Sequence, residues 1–279
     1  MGRRLRRMRK DGDRAGRGGV WAVGGVFTAV AFVAAGALGA AQPGTGIPEE
    51  VVQLTQFGPA LAVGAVAVFR RRRTRELLRG GTQTAAGSRP LGGALLLGAA
   101  GLIVALSVLG SYAVGGEAHF TPPGSLHHPF VLIAVAQLVG ACGEEVGWRC
   151  FLQPLLRIRL GTLASSVTVG VLWGAWHVPV FAQAPAYAAG FLVATTAMSV
   201  LLGSALDGVG GWRRLLLAGG FHTLVNLGLL LFLDEESGAV PPMLCFGLSC
   251  LVVAAAAAAL GAGRRAPEPA AAPTTLHGT

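Results

Sequence analysis

The octapeptide GEEVGWRC at residues 143–150 places two carboxylates and a guanidinium in an apolar part of the chain. Residues four apart share one face of a helix, so Glu145 and Arg149 are expected to pair, whereas Glu144 points about 100° away from its neighbour. The pair would neutralise one carboxylate and hold the helix end against adjacent helices. We therefore expect Glu144 to be the less paired and more basic carboxylate if it faces a wet cavity.

Two later stretches carry histidines beside small residues. In GVLWGAWHVP, the i, i+4, i+7 spacing of Gly170, Gly174 and His177 lets another helix backbone approach the glycine face. In GGFHTLVN, His222 and Asn226 lie four apart on one face. A carboxylate can take a proton from water, an imidazole can relay it, and a His–Asn pair can donate hydrogen bonds to an oxyanion. The residue types therefore indicate water activation.

Other interpretations of these residues stay open at this point. A lone membrane histidine is often an interhelical hydrogen-bond residue. Glutamate and histidine are also competent zinc ligands, although an HExxH motif is absent from the sequence. Glu145 with Arg149 is more often structural than catalytic, and Trp173 and Trp176 are typical of packing or of the membrane interface. No G-x-S-x-G elbow supplies a serine nucleophile.

The elements that must position these residues are apolar helices. The 279 residues are 53% apolar and 13% charged, which is too apolar for a soluble surface. A hydrocarbon core of about 30 Å takes roughly 20 helical residues. About eight such stretches occur, at residues 20–41, 51–69, 91–114, 129–148, 162–181, 186–206, 212–233 and 241–262. The predicted fold class is all-α, a polytopic membrane helix bundle.

The charges predict how the spans are oriented. If an even number of spans alternates, all 22 Lys and Arg fall on the side of the two termini, and basic residues concentrate in short cytoplasmic loops. The opposite loops carry acids and no basic residue. These acids are Glu49, Glu50, Glu117, Asp234, Glu235 and Glu236. We therefore predict a multi-pass protein of the cell membrane with both termini cytoplasmic.

The net charge of +9 is explained by the same topology. The runs RRLRRMRK and RRRRTRELLR are topology anchors that can also touch anionic lipid headgroups. Nucleic acid is not expected as a partner, because no aromatic-plus-basic motif accompanies the charge.

The chain divides into four predicted regions. A basic cytoplasmic arm covers 1–18, a three-helix membrane segment 19–114, a core with the polar motifs 115–262, and a Pro- and Ala-rich disordered tail 263–279. The first span is expected to be a retained helix, because its apolar run of roughly 20 residues is long for a cleaved signal.

Two further groups of potential ligands are expected to be structural. The cysteines show no metal-binding spacing and are expected to be free thiols that pack as small apolar residues. They are Cys142, Cys150, Cys245 and Cys250. The turn-rich stretch that contains His119, His127 and His128 is expected to be a solvated outer loop rather than a metal site.

The three polar stretches together resemble the motifs of a known family. EEVGWR at 144–149 is similar to the EExxxR motif of the CPBP intramembrane proteases, the CAAX-processing and bacteriocin-processing group also called Abi. Trp173 and His177 resemble its second motif, an aromatic residue followed four residues later by His, with Trp where Phe is commoner. His222 and Asn226 match its third motif, HxxxN. The resemblance covers about residues 115–262.

The resemblance implies an intramembrane endopeptidase that hydrolyses a peptide bond of a membrane-bound protein or peptide, of which prenylated CAAX proteins are the family's best-known targets. Carried over, Glu144 and His177 would activate water, and His222 and Asn226 would bind the oxyanion. Residues supporting this geometry would be Glu145, Arg149 and Trp173. No cofactor is implied, and the glutamic mechanism is favoured over the alternative, a divalent metal such as zinc.

A non-proteolytic membrane protein is the alternative from another class. It would be a proton-coupled transporter with Glu144 as the relay, or a bacteriocin-immunity or export scaffold. The sequence carries no inverted repeat or Pro-broken helix pair of the kind that marks a transport site. This favours the protease hypothesis.

Overall fold

The computed structural model describes residues 2–80, 92–115, 120–233 and 238–263, with side chains described only from residue 19 to residue 260. Within these ranges the regular structure is helical and contains no strand, which confirms the all-α class. The α-helices are α1 (Gly2–Ala41), α2 (Gly58–Leu78), α3 (Gly93–Ala113), α4 (Phe130–Gly147), α5 (Gln153–Arg157), α6 (Thr162–Trp176), α7 (Pro185–Ala205), α8 (Gly211–Phe232) and α9 (Val240–Gly263). The side chains of the predicted basic arm, and the predicted tail beyond residue 263, lie outside the described residues.

Six of the eight predicted spans are confirmed as helices long and apolar enough to cross a membrane. These six run over Gly19–Thr45, Gly93–Ala113, Phe130–Arg157, Pro185–Ala205, Gly211–Phe232 and Val240–Leu260. The predicted spans 51–69 and 162–181 do not meet this measure, and their predicted bounds are wrong. The described chain therefore has six candidate membrane-spanning helices rather than eight.

Prolines explain why α2 begins later, and α6 ends earlier, than predicted. Residues Leu54–Phe57 form a 3-10 turn, and α2 begins only at Gly58, with Pro59 in its first turn where a missing N–H costs nothing. Helix α6 has 15 residues and ends at Trp176, because Pro179 disfavours helical geometry in the residue before it. A 3-10 turn at Val178–Ala182 follows.

The helix that carries the glutamates, α4, packs between α2 and α8. Its Gly147 lies against Pro59 of α2, where a side chain would collide. Helix α1 covers the same region, since Phe27 packs edge-on against Trp148 with ring centroids 5.5 Å apart. The Nε1 of Trp176 donates a hydrogen bond to the carbonyl of Ala31 in α1 at 3.2 Å. Helices α1 and α2 therefore pack against the helices that carry the motifs.

A π-helical turn over Trp148–Leu152 joins α4 to α5. The N–H of Gln153 bonds to the carbonyl of Trp148, five residues earlier. The cause lies in Pro154, which has no N–H and whose ring would clash with the carbonyl four residues before it in an unbroken α-helix. The widened turn contains Arg149, and such π-turns are frequent at functional sites.

The loops at the other end of α4 are held together by Glu50. Its carboxylate accepts a hydrogen bond from the backbone N–H of His127 at 3.1 Å and lies 2.9 Å from Nδ1 of His128. The His127 side chain is 89% exposed, in agreement with the predicted solvated loop. The third histidine of that prediction, His119, lies outside the described residues.

Candidate active site

Glycines allow the motif-bearing helices to approach each other closely. A Cβ on Gly219 of α8 would lie 2.5 Å from the Sγ of Cys142 on α4, so only glycine permits this spacing. The predicted glycine face of α6 does receive a helix backbone: a Cβ on Gly170 would lie 2.6 Å from the Cα of Thr196. That neighbour is α7, and α4 instead reaches α6 through side chains.

Glu145 lies at the centre of a buried charge cluster. Its Oε2 is 3.4 Å from Nε of Arg149, so the ion pair predicted from the i, i+4 spacing is present. Its Oε1 is 3.1 Å from Nδ1 of His222 on α8. Since an ionised carboxylate only accepts hydrogen bonds, Nδ1 of this histidine is the donor. One carboxylate therefore links the first and third motifs.

Glu144 is 1% exposed and faces a different neighbour. Its Oε2 accepts a hydrogen bond of 2.7 Å from the indole Nε1 of Trp173 on α6. The ring of Trp173 also lies beneath the guanidinium of Arg149, with Cζ 4.4 Å from the ring centroid. The same ring meets the imidazole of His222 edge-on at 5.1 Å. Trp173, expected from the sequence to be a packing or supporting residue, thus touches both other motifs.

His177 follows the last residue of α6, and its imidazole folds back over the helix end. Its Nδ1 lies 2.8 Å from the backbone carbonyl of Trp173. A carbonyl can only accept, so Nδ1 carries the proton and the neutral ring keeps an acceptor lone pair on Nε2. The rings of Trp176 and Phe191 pack edge-on against the imidazole at 4.9 Å each. The imidazole is therefore fixed in both tautomer and orientation.

Asn226 is half-buried and its Nδ2 donates to Oε1 of Gln137 on α4 at 3.4 Å. Gln137 belongs to none of the three motifs. It lies seven residues before Glu144, two turns away on the same face of α4. The sequence does show a polar amide side chain within an apolar helix, but only the fold places this side chain beside Asn226.

The seven residues predicted from the motifs thus lie on α4, the π-turn, α6 and its end, and α8. Among the described contacts, Glu144 and His177 are joined through Trp173, which donates to one by its side chain and accepts from the other by its carbonyl. Glu144 and His177, both held by Trp173, can bind a water molecule between the carboxylate and the imidazole.

The donor set does not resemble a metal centre. Among the described residues, no three His, Cys, Asp or Glu side chains are grouped so that they could share a metal ion, whereas zinc sites in proteins take three or four such ligands. The four cysteines are free, as predicted.

Comparison with known proteins finds similarity over this part of the chain. Residues 126–228 match the family model described as type II CAAX prenyl endopeptidase Rce1-like. The chain is 24% identical over 172 residues to CAAX prenyl protease 2 of Methanococcus maripaludis, covering 54% of this chain and 60% of that protein. It is 25% identical over 126 residues to lysostaphin resistance protein A of Staphylococcus aureus, covering 45% and 30%. The protein of that name from Staphylococcus epidermidis is 26% identical over 121 residues, covering 43% and 31%.

The chain therefore spans less than two thirds of the length of these relatives. All the site residues lie within the matched segment 126–228, and helices α1 to α3 and α9 lie outside it.

Proposed function

Because the chain belongs to the CPBP family, which includes the Rce1-like CAAX prenyl endopeptidases, we propose that it is a membrane-embedded endopeptidase with a glutamate-activated water. One observation carries this proposal. Trp173 fixes Glu144 through its indole N–H and fixes the tautomer of His177 through its carbonyl. A base and a proton acceptor are thereby oriented by the same residue in a largely apolar, buried setting.

In the proposed reaction, a water between Glu144 and Nε2 of His177 attacks the carbonyl carbon of the scissile peptide bond. A proton of that water passes to Glu144 as the new C–O bond forms. The resulting oxyanion accepts hydrogen bonds from Asn226 and from His222, which in its doubly protonated form donates Nδ1–H to Glu145 and Nε2–H to the oxyanion. When the C–N bond breaks, the proton on Glu144 moves to the leaving nitrogen.

The test is cleavage by purified Glu144→Ala and His177→Ala variants. General acid–base residues contribute about 10²- to 10⁴-fold, so we expect a rate loss of at least about 100-fold for each. The control is Glu76→Ala, which removes an exposed glutamate on α2. A Glu144→Ala variant that cleaves as fast as the parent would refute the proposal. Proton-coupled uptake into proteoliposomes that is lost in Glu144→Gln would support the transporter instead.

We propose that the substrate is a membrane-associated protein or peptide, with a prenylated CAAX-type C-terminus as the first candidate. This follows from the family and from a relative named as a CAAX prenyl protease. A farnesylated CAAX peptide is compared with its unprenylated form. If neither is cleaved, membrane proteomes of cells with the parent and with Glu144→Ala are searched for a protein whose C-terminus or signal remnant shifts.

We propose a metal-free mechanism. The carboxylate of Glu145 is already paired with Arg149 and His222, which supports a role in holding charge rather than a metal. Cleavage should persist after strong chelation, in protein whose metal content is measured. Loss of activity on chelation with recovery on adding zinc would establish the metal-dependent alternative.

The fold and the charge distribution also support a proposed topology. We place both termini in the cytoplasm and the protein in the cell membrane, with anionic lipid headgroups as partners of its basic segments and with no nucleic-acid partner. A fluorescent protein fused to the C-terminus should fluoresce, and a phosphatase that folds only outside the cytoplasm should be inactive there. The reverse pattern would overturn the orientation.

A further inference from the structure

Trp173 contacts more of the candidate site than any single catalytic side chain requires. Its indole N–H donates to Glu144, its ring lies under the Arg149 guanidinium, and its edge contacts reach the imidazoles of His177 and His222. It is 2% exposed, so these contacts are shielded from water. Four charged or titratable groups from three parts of the chain therefore share one aromatic neighbour.

The indole N–H does something that a phenyl ring cannot do. A hydrogen bond to an ionised carboxylate is shorter and roughly twice as strong as one between neutral groups, and the bond to Oε2 of Glu144 is 2.7 Å. Within the described residues, this indole is the hydrogen-bond donor to the Glu144 side chain. A phenylalanine at position 173 would keep the ring and lack this donor.

We propose that Trp173 is a positioning residue, which binds Oε2 of Glu144 so that Oε1 faces the water and Nε2 of His177. The backbone carbonyl of Trp173 completes the arrangement, because it keeps the proton of His177 on Nδ1. Trp173 acts through Glu144 and does not itself touch the reacting atoms. The inference rests on the proposed function, since it assigns Trp173 a role only if Glu144 activates water.

The chain offers a matched control in Trp176, one turn further along α6. Trp176 is also buried, at 6% exposure, and its Nε1 also donates one hydrogen bond, to the carbonyl of Ala31. Replacing either tryptophan by phenylalanine keeps an aromatic ring and removes one N–H donor. Trp173→Phe should lower kcat about 10- to 100-fold, the range expected when a hydrogen bond to a charged group is lost, with KM little changed. Trp176→Phe keeps an aromatic ring against His177 and removes an N–H that donates to Ala31 rather than to Glu144, so kcat should fall less than in Trp173→Phe.

A second measurement does not depend on any substrate. Thermal unfolding midpoints are compared for the parent, Trp173→Phe, Glu144→Ala and the double variant, and for the equivalent cycle with Trp176→Phe. We expect the double variant of Trp173 and Glu144 to lose less than the sum of the two single losses, because both remove the same bond. The cycle with Trp176 should be additive.

The outcomes separate this inference from the proposed function. An additive Trp173–Glu144 cycle overturns the inference. The unfolding cycle could also show coupling while Trp173→Phe and Trp176→Phe have equal kcat. That result overturns the inference as well, because the contact of Trp173 with Glu144 would then only stabilise the fold. Undiminished cleavage by Glu144→Ala refutes the proposed function itself. Loss of activity in Glu144→Ala together with a selective fall of kcat in Trp173→Phe supports both.

Discussion

Glu145 and Arg149 form an ion pair at positions with no solvent exposure. Removing two charges from water costs several kcal/mol per ion, and their attraction offsets this cost only with good geometry and further hydrogen bonds. Here the carboxylate gains His222 as a second partner, and the guanidinium lies over the ring of Trp173. These added contacts offset part of the cost of burial, and the guanidinium nitrogens of Arg149 have no hydrogen-bond partner among the described residues.

Replacing Glu145 by glutamine should destabilise the protein strongly, because it leaves Arg149 buried without its ionic partner. Loss of one member of a buried pair typically costs about 3–5 kcal/mol, measured here as the free energy of unfolding in mixed detergent–SDS micelles. The double variant Glu145→Gln/Arg149→Met should recover part of that loss.

The exposed i, i+4 pair of Arg72 and Glu76 serves as the control for this prediction. The two side chains are 95% and 57% exposed, and exposed pairs contribute about 0–1 kcal/mol. Arg72→Gln should therefore change the free energy of unfolding by less than about 1 kcal/mol. Equal losses at the buried and exposed pairs would contradict the importance of burial.

Residue spacing predicted one of these contacts and could not predict the others. Glu145 and Arg149 are four apart, so helix geometry alone pairs them. The contact of Glu145 with His222 joins residues 77 apart, and that of Trp173 with Glu144 joins residues 29 apart. Such contacts depend on which helices become neighbours, and periodicity within one helix carries no information about that.

The approach of α8 to α4 depends on a single glycine. A Cβ at Gly219 would lie 2.5 Å from the Sγ of Cys142, so Gly219→Ala should push the helices apart and separate His222 from Glu145. Overpacking of this kind costs about 1–3 kcal/mol, and we expect cleavage to fall with stability. The readouts are the free energy of unfolding and the cleavage rate.

Two variants test the cause of that loss. Gly219→Ala/Cys142→Ala removes the obstructing sulfur and should restore both stability and cleavage, since the next nearest atoms are 3.6 Å away. Gly220→Ala, on the neighbouring residue of α8, meets only the Cδ2 of Leu97 at 3.4 Å and should be tolerated. Failure of Cys142→Ala to rescue would place the defect elsewhere than in the sulfur contact.

The loops before α2 and α4 form a clasp whose strength depends on pH. The hydrogen bond from His128, aided by the backbone N–H of His127, lowers the pKa of Glu50 below its ordinary value of 4.5. The contribution of this carboxylate to stability is therefore complete above about pH 4.5 and is lost as pH falls through the lower pKa of the folded state.

Glu50→Gln should remove this acid-dependent component. We expect the parent's unfolding midpoint to fall more steeply than that of the variant as pH is lowered from 5 towards about 3. Glu49→Gln, at the exposed neighbouring residue, should follow the parent. Identical pH profiles for the parent and Glu50→Gln would show that the clasp does not contribute to stability.

Helix existence was easier to predict than helix ends. Six apolar runs became long helices, because length and hydropathy dominate over local detail. The predicted run 51–69 begins too early and the predicted run 162–181 ends too late, since hydropathy does not register that Pro59 favours a first turn or that Pro179 ends α6. His177 consequently lies just beyond the end of α6, where its imidazole can reach the carbonyl of Trp173.

Charge is distributed unevenly over the whole molecule, and α2 shows this most directly. The helix is kinked at Arg70, whose φ of −134° and ψ of 38° are not helical. Before the kink the helix is apolar, and after it Thr74 and Leu77 are buried while the arginines are exposed. Phe69, beside the kink, is 82% exposed. An exposed aromatic next to outward arginines is typical of the membrane interface.

This segment predicts that anionic lipid stabilises the protein. Each arginine near an anionic surface contributes about 1 kcal/mol, so the parent should unfold at a higher temperature in nanodiscs containing phosphatidylglycerol than in phosphatidylcholine alone. Replacing Arg71, Arg72, Arg73 and Arg75 by glutamine should remove most of that difference. The same four positions changed to lysine should retain it, because the charge is kept.

Salt separates an electrostatic effect from a change in bilayer packing. At 1 M ionic strength the screening length is about 3 Å, compared with about 10 Å at 0.1 M, so the lipid-dependent difference in the parent should shrink at high salt. The glutamine variant should respond little to salt. The lipid-dependent difference in unfolding temperature could instead be equally large in the glutamine variant, or insensitive to salt. Either result would show that α2 serves only as a topology anchor and that other parts of the molecule sense the lipid.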